Sequence, residues 1–235
     1  PSFLFLRPEP KKLGEQIALK EKNERPESIE NIAGDTARPM RLIFSAPLVQ
    51  LAVLSMVIGF FVMVFLMVIT PLYMDRNEHS TGAISIVIMA HTMGMFGLSW
   101  MTGWLIDRFG RIQMILAGAT LLDVSCVLAP LSIQVPILGL ALFLLGLGWN
   151  FCYVSGSSLL SDALAAHERA RGQGASEIVV AISAAVASIS VGLVFTWGGY
   201  QLVSIIAFVF TFLLASATYW LTRKDARLSA ALPGD

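Results

Sequence analysis

Six apolar runs, joined by connectors mostly too short to fold on their own, constrain this chain of 235 residues more than any other feature. They fall at approximately 47–72, 82–106, 112–131, 136–160, 174–197 and 200–222. Each is about 20 residues or longer, enough to cross ~30 Å of hydrocarbon as a helix rising ~1.5 Å per residue. Lipid offers no hydrogen bond to an unpaired backbone, and the alternating strands of about ten residues that a barrel needs are absent, so helices are the predicted solution. Composition agrees: 56% of residues are hydrophobic, 14% are charged and mean hydropathy is +0.73, too apolar a balance for a soluble domain. The fold class expected is an all-α membrane protein with six transmembrane helices.

Three regions follow from this pattern. Residues 1–46 read as a linker: positions 7–46 hold eight Lys/Arg, seven Asp/Glu and prolines at 8, 10, 26 and 39, with a short surface helix predicted around Leu13 to Lys22. Residues 47–222 form the six-span bundle, and 223–235 a short tail. The opening Pro1-Ser2-Phe3 has no basic region followed by an apolar core and cleavage site, and it reads as an internal start. Phe3-Leu4-Phe5-Leu6 followed by Arg7-Pro8 has the character of a preceding span ending at the membrane surface.

Orientation is set by cations in the connectors. The linker carries eight Lys/Arg, the loop at 107–111 two, the loop at 161–173 two and the tail three, whereas the opposite side has Arg76 alone. This asymmetry predicts both termini in the cytoplasm. The chain has no Asn-x-Ser/Thr sequon, which favours a bacterial inner membrane. Net charge is +0, so nothing marks the chain as a nucleic-acid binder. Cys126 and Cys152 lie inside apolar runs and read as small hydrophobes. No Walker sequence or metal-ligand cluster is present, and Gly172-Gln173-Gly174 is too short for a phosphate loop, so no cofactor or metal is expected.

Polar residues within the runs are the candidate functional groups. The fourth run places Phe143, Gly146, Asn150, Tyr153 and Ser157 at steps of three and four, a stripe of small and polar groups. Glu177, Ala181, Ala184, Ser188 and Gly192 form a small-residue stripe in the fifth, and such stripes let helices approach closely in lipid. His91 is the one histidine near mid-span; it suits proton coupling or, equally simply, a neutral imidazole bonded between helices. Glu177, expected one turn inside its helix, suits amino-terminal capping, and Trp149 suits packing. Asp123 falls near the middle of the third run, where a lone carboxylate is costly, and turning inward toward Thr120 and Cys126 would shelter it. Gly156-Ser157-Ser158 with His91 supplies the residue types of an intramembrane hydrolase, but the second glycine of a nucleophile elbow is missing.

The connector between the second and third runs reads Gly103-Trp104-Leu105-Ile106-Asp107-Arg108-Phe109-Gly110-Arg111. It resembles the signature loop of the major facilitator superfamily, Gly-x-Leu-x-Asp-Arg-x-Gly-Arg, at every fixed position. The segment from Asp162 to Gly172, with Glu168-Arg169 and Arg171-Gly172, is similar to the acidic-then-Arg-Gly connector of the same family. Thr70-Pro71-Leu72-Tyr73-Met74, His91 and Gly94-Met95-Phe96 look like a group of bacterial efflux permeases. The resemblance implies one half of a twelve-helix secondary transporter, here the central loop and carboxyl-terminal half, acting on a small-molecule substrate with a six-helix amino-terminal half as partner and protons as a possible coupling ion. It implies that the first and fourth spans line a cavity, making Gln50, Asn150, Tyr153 and Ser157 candidate cavity residues, with His91 and Glu177 on flanking helices. It also implies a gating role for Gly103, Asp107, Arg108, Gly110 and Arg111, and a charge network with Asp162, Glu168, Arg169 and Arg171. A six-span scaffold or regulatory subunit is the alternative reading.

Overall fold

The computed structural model describes residues 39–231, with side chains for 39–221. The surface helix expected around Leu13 to Lys22, the apolar segment at Phe3 to Leu6 and residues 232–235 of the tail lie outside the described residues. Every described element is helical, as the apolar runs require.

A short helix α1, Met40–Phe44, buries Ile43 and leads into α2, Pro47–Arg76. Pro47 starts α2 where a missing backbone donor costs nothing, because the first amides of a helix have no partner within it. Pro71 is tolerated inside α2 near its end, and Asn77 closes it with Nδ2 donating to the Tyr73 carbonyl at 2.7 Å. The next run is not one helix. It comprises α3, Thr81–Thr92, a π-helical turn, Met93–Gly97, and α4, Ser99–Phe109, with a 45° bend between the parts on either side of Leu98. Ser80 caps α3 by accepting from the Ala83 amide. Gly110, at φ 89, turns the chain into α5, Arg111–Leu128; this left-handed conformation suits glycine because it has no Cβ. Then come α6, Val135–Ala163, and α7, Arg169–Ala231.

Helix α7 is too long for one crossing: its 53 residues from Arg169 to Leu221 extend ~80 Å against ~30 Å of hydrocarbon. It breaks at Gly198 and Gly199, the latter at φ 62. The contacts show that the two limbs run in opposite senses. In the first limb Phe195 lies under the Arg76 guanidinium, near the end of α2. In the second limb Tyr200 stacks on Tyr73 at 4.4 Å, but Phe210 has returned to Phe61, three turns back along α2. By length and composition α2, α5, α6 and α7 can each cross a membrane, and the bent α3 to α4 pair adds a fifth crossing. The two limbs of α7 bring the apolar segments to six.

Helix α6 is the hub. A Cβ on Gly146 would lie 2.4 Å from the His91 carbonyl, one on Gly148 2.9 Å from the Gly118 carbonyl and one on Gly156 2.4 Å from Ser55 Oγ. Three glycines therefore let α6 touch α3, α5 and α2 backbone to backbone, the close packing that substitutes for a hydrophobic driving force between helices in lipid. Ser125 Oγ donates to the Ala141 carbonyl at 2.7 Å and ties α5 to α6. Cys126 and Cys152 are free and buried in this interior. The stripe in the first limb of α7 behaves differently: Glu177, Ala181, Ser188 and Gly192 are exposed, so it does not pack within this bundle.

Candidate functional site

Apart from Gln50, the candidate residues named from the sequence fall at four places among the described residues. At the bend in the second span, Asn150 of α6 is buried. Its Nδ2 donates to the Met95 carbonyl at 2.8 Å and Ser99 Oγ at 3.3 Å, and its Oδ1 accepts from Thr102 Oγ1 at 2.6 Å. One turn earlier His91 Nδ1 lies 2.9 Å from the Leu142 carbonyl; a carbonyl only accepts, so Nδ1 carries the hydrogen. His91 Nε2 is buried without a hydrogen-bond partner. Both residues expected on cavity or interface faces are thus engaged in fastening the second span to α6.

The second place is a cluster of rings. Trp149 stacks on Tyr153 at 5.3 Å, Phe60 meets both at 5.8 and 6.0 Å, and Phe96 meets Trp149 edge-on at 6.0 Å. Tyr153 Oη donates to Glu177 Oε1 at 2.6 Å. Helix α7 begins at Arg169, so Glu177 sits about two turns inside it, out of reach of the first amides; the capping expected for Glu177 does not occur. Its carboxylate instead joins the ring cluster. Ser157, one turn beyond Tyr153, accepts from Gln173 Nε2 at 3.2 Å. Gln50 is exposed one turn from the start of α2 and stands ten residues, ~15 Å along the helix, from Phe60. The structure therefore unites Tyr153 with Glu177, sets Ser157 beside them and leaves Gln50 apart.

The third place is the end of the bundle that carries the signature loop. Arg111 forms an ion pair with Asp162 and its Nε donates to Ser158 Oγ at 3.1 Å, joining the start of α5 to the end of α6. Arg108 does not pair with an acid among the described residues; its guanidinium lies over the Trp104 and Phe109 rings at 5.3 and 5.8 Å. Glu168 Oε2 accepts from the Ala165 amide at 3.4 Å, Arg169 Nε donates to the Ser161 carbonyl at 3.0 Å, and Arg171 is exposed. Gly103 and Asp107, one turn apart on α4, are both exposed, and a Cβ at Gly103 would meet nothing within 4 Å.

The fourth is Asp123, whose hydrogen-bond partner is neither Thr120 nor Cys126. Its carboxylate is hydrogen-bonded to the Thr211 hydroxyl on the second limb of α7, while Thr120 Oγ1 bonds back to the Leu116 carbonyl. Among the described residues no group of three or more His, Cys, Asp or Glu could hold a metal ion.

Sequence reasoning missed Phe60, Phe96 and Thr211. Thr211 had a usable signal, since an acid in a span requires a polar partner on a neighbouring span. Phe96 enters only within the Gly94-Met95-Phe96 resemblance and not as a site residue, and Phe60 had no signal, because an aromatic residue in an apolar run reads the same whether it faces lipid or a site.

Comparison with known proteins agrees with this architecture. The family model for the Major Facilitator Superfamily matches residues 51–234. The chain is 32% identical to the Uncharacterized MFS-type transporter YddS of Bacillus subtilis (strain 168), over 94% of this chain and 50% of that protein. It is 32% identical to the Uncharacterized MFS-type transporter YdeG of the same strain, over 93% and 50%. It is 30% identical to the Riboflavin transporter RfnT of Brucella anthropi, over 76% and 45%. The chain spans about half the length of the curated relatives it matches. With six apolar helical segments and this match over most of its length, it is an integral membrane protein that belongs to the major facilitator superfamily.

Proposed function

We propose that this chain is one six-helix half of a secondary transporter that moves a small solute by alternating access, and not an enzyme. The observation that carries this reading is the origin of the ring cluster. Phe60, Phe96, Trp149, Tyr153 and Glu177 come from the first, second, fourth and fifth apolar segments, and neither α5 nor the second limb of α7 contributes. Those four segments are the ones that face a partner half in a two-bundle carrier. The exposed small-residue stripe around Glu177 supports the same face, because a helix that leaves its small residues uncovered can receive another helix closely. The partner is an amino-terminal six-helix bundle, and the solute is held between the two.

The ring cluster suits an aromatic solute, since stacked and edge-on rings favour a further ring and Glu177 offers an acceptor for a donor on it. The relative named as a riboflavin transporter makes an aromatic heterocycle the first class to test. Direction and coupling are read as proton-driven export, with His91 as the coupling group: its Nε2 is the buried ring nitrogen left without a partner. The setting is a bacterial inner membrane with the Asp107 loop on the cytoplasmic side, in keeping with the cation asymmetry of the connectors.

Reconstitution in liposomes tests the reading. Uptake of labelled aromatic heterocycles is compared for the 235-residue chain alone and for the chain joined to an amino-terminal six-helix half. Saturable uptake only with the second half is expected, and His91→Gln in that transporter should flatten its pH profile. Robust saturable uptake by the short chain as a monomer would defeat the half-transporter reading, and an unchanged pH profile would return His91 to packing.

A further inference from the structure

Asp123 does not belong to the ring cluster or to the signature loop. It opens into a separate cavity of about 290 Å³, whose other walls are Val124, Val127, Leu128, Leu131 and Phe208. That volume lies near the lower end of ligand pockets, roughly 300 to 1,000 Å³. The wall is hydrocarbon apart from the one carboxylate. The cavity lies between α5 and the second limb of α7, on a side where Val124, Val127 and Leu131 are 46, 50 and 70% exposed. In a membrane-spanning bundle this side meets acyl chains.

The carboxylate has a hydrogen-bond donor but no countercharge. Thr211 is its hydrogen-bond partner, and no Arg, Lys or His of the described residues pairs with it. Burying a carboxylate in hydrocarbon without a cation is unfavourable, and one hydroxyl offsets only part of the cost, because Thr211 Oγ1 has a single hydrogen and also lies 3.2 Å from the Ala207 carbonyl. An apolar cavity with one acid that lacks a countercharge suits a cation carried on a hydrocarbon body. The depth fits as well. Asp123 is five residues from Leu128 at the end of α5, ~7.5 Å along the helix, so an amphiphile can enter from the nearer membrane interface and reach it.

We propose that this cavity binds an amphiphilic ammonium ion, its charged head paired with Asp123 beside Thr211 and its hydrocarbon laid against Val127, Leu131 and Phe208. The ammonium is supplied by a free lipophilic amine or by the headgroup of phosphatidylethanolamine.

The test uses the full chain in nanodiscs of phosphatidylglycerol and two photoactivatable probes, dodecyltrimethylammonium and its neutral counterpart dodecanol. Mass spectrometry reads labelling at positions 120–131 and 205–212. The ammonium probe should label these segments in preference to the alcohol. Asp123→Asn should cut ammonium labelling about tenfold, the scale expected for loss of one partly desolvated charge pair, and leave alcohol labelling unchanged. Val127→Trp fills the cavity from an exposed position and keeps the acid, so its ammonium labelling should fall too, even where Asp123→Asn fails to fold. Replacing part of the phosphatidylglycerol with phosphatidylethanolamine separates the two sources: competition assigns the site to the headgroup, and undiminished labelling assigns it to free amines. Equal labelling by both probes, or wild-type ammonium labelling in either variant, overturns the proposal and leaves an acyl-chain groove.

Discussion

Asn150 and Met95 lie on different spans, and the amide of the first is the hydrogen-bond partner of the carbonyl that the second presents at the π-helical turn, at 2.8 Å. A π-turn widens the helix and leaves carbonyls without their ordinary donors, which is costly in lipid unless another group supplies one. Asn150 does this, and it also receives the Thr102 hydroxyl on the far side of the bend. A single side chain therefore spans both parts of the broken second segment.

Asn150→Leu removes these bonds while keeping the volume close. Individual interhelical bonds in membranes average about 0.6 kcal/mol, and a buried group left unsatisfied costs about 1 to 3 kcal/mol, so a loss of about 1 to 3 kcal/mol is expected. Thermal unfolding in detergent, followed by tryptophan fluorescence, measures it. Thr102→Val in the Asn150→Leu background should add less than it costs alone, because the two side chains share one bond. An unchanged unfolding temperature in Asn150→Leu would show that the bend stands without its clamp.

The bond from Tyr153 to Glu177 makes a second prediction. Tyr153→Phe keeps the ring stack on Trp149 and removes the hydroxyl; Glu177→Gln keeps an acceptor and removes the charge. In the complete transporter each should raise KM for the solute about three- to tenfold, or about 0.7 to 1.4 kcal/mol, and the double variant should be no worse than the more affected single one. Fully multiplicative effects would show that the two residues act independently.

These two sites differ in how far sequence could reveal them. The Gly198-Gly199 break is legible, because two adjacent glycines between apolar runs point to a reversal, and the run boundaries on either side follow from hydropathy. The bend at Met93–Gly97 is not: its residues are as apolar as their neighbours, contain no proline and adopt a π-turn stabilised by a side chain more than fifty positions away. Tyr153 stands out as a polar group in an aliphatic helix, whereas Phe60 becomes part of a site only through the crossing of α2 and α6 set by Gly156. Glu177 shows the effect of a misplaced boundary. With the run taken to begin at 174 it reads as a cap, but the helix begins at Arg169 and the same residue becomes an exposed hydrogen-bond acceptor for Tyr153.

The ion pair of Arg111 with Asp162 is part exposed, with side chains 36 and 50% accessible, and a pair of that kind contributes about 0 to 1 kcal/mol. Arg111→Ala should therefore leave the unfolding temperature nearly unchanged. Its effect should appear in transport, because the pair joins the loop before α5 to the end of α6. Exchanging the two charges, Arg111→Asp with Asp162→Arg, should recover transport relative to either single reversal. Failure of the exchange to recover any activity would mean that Arg111 acts through Ser158 or a partner elsewhere rather than through Asp162.

Asp107 carries the prediction most directly tied to the signature loop. It sits in the last turn of α4, which ends at Phe109, and a negative charge at a helix carboxyl end is opposed by the backbone dipole. No hydrogen bond or ion pair from the described residues offsets this. The adjoining surface at Gly103 is also open, so α4 presents an uncompensated carboxylate beside a notch with no side chain. We propose that both are filled by the partner half: a helix lies close against Gly103 and turns its amino-terminal amides toward Asp107, bracing the cytoplasmic side shut. Such a contact is worth about 0.3 to 2 kcal/mol, enough to shift a balanced equilibrium between two states by nearly twofold to about thirtyfold. Asp107→Asn keeps the size and removes the charge. In the complete transporter it should insert normally, lose turnover and leave the cytoplasmic cavity open more often, which cysteine accessibility from that side measures. Gly103→Leu should act in the same direction by blocking the approach, although it removes no charge; a Cβ at that position meets nothing within 4 Å in this half. Wild-type accessibility and turnover in both variants would reject the bracing contact.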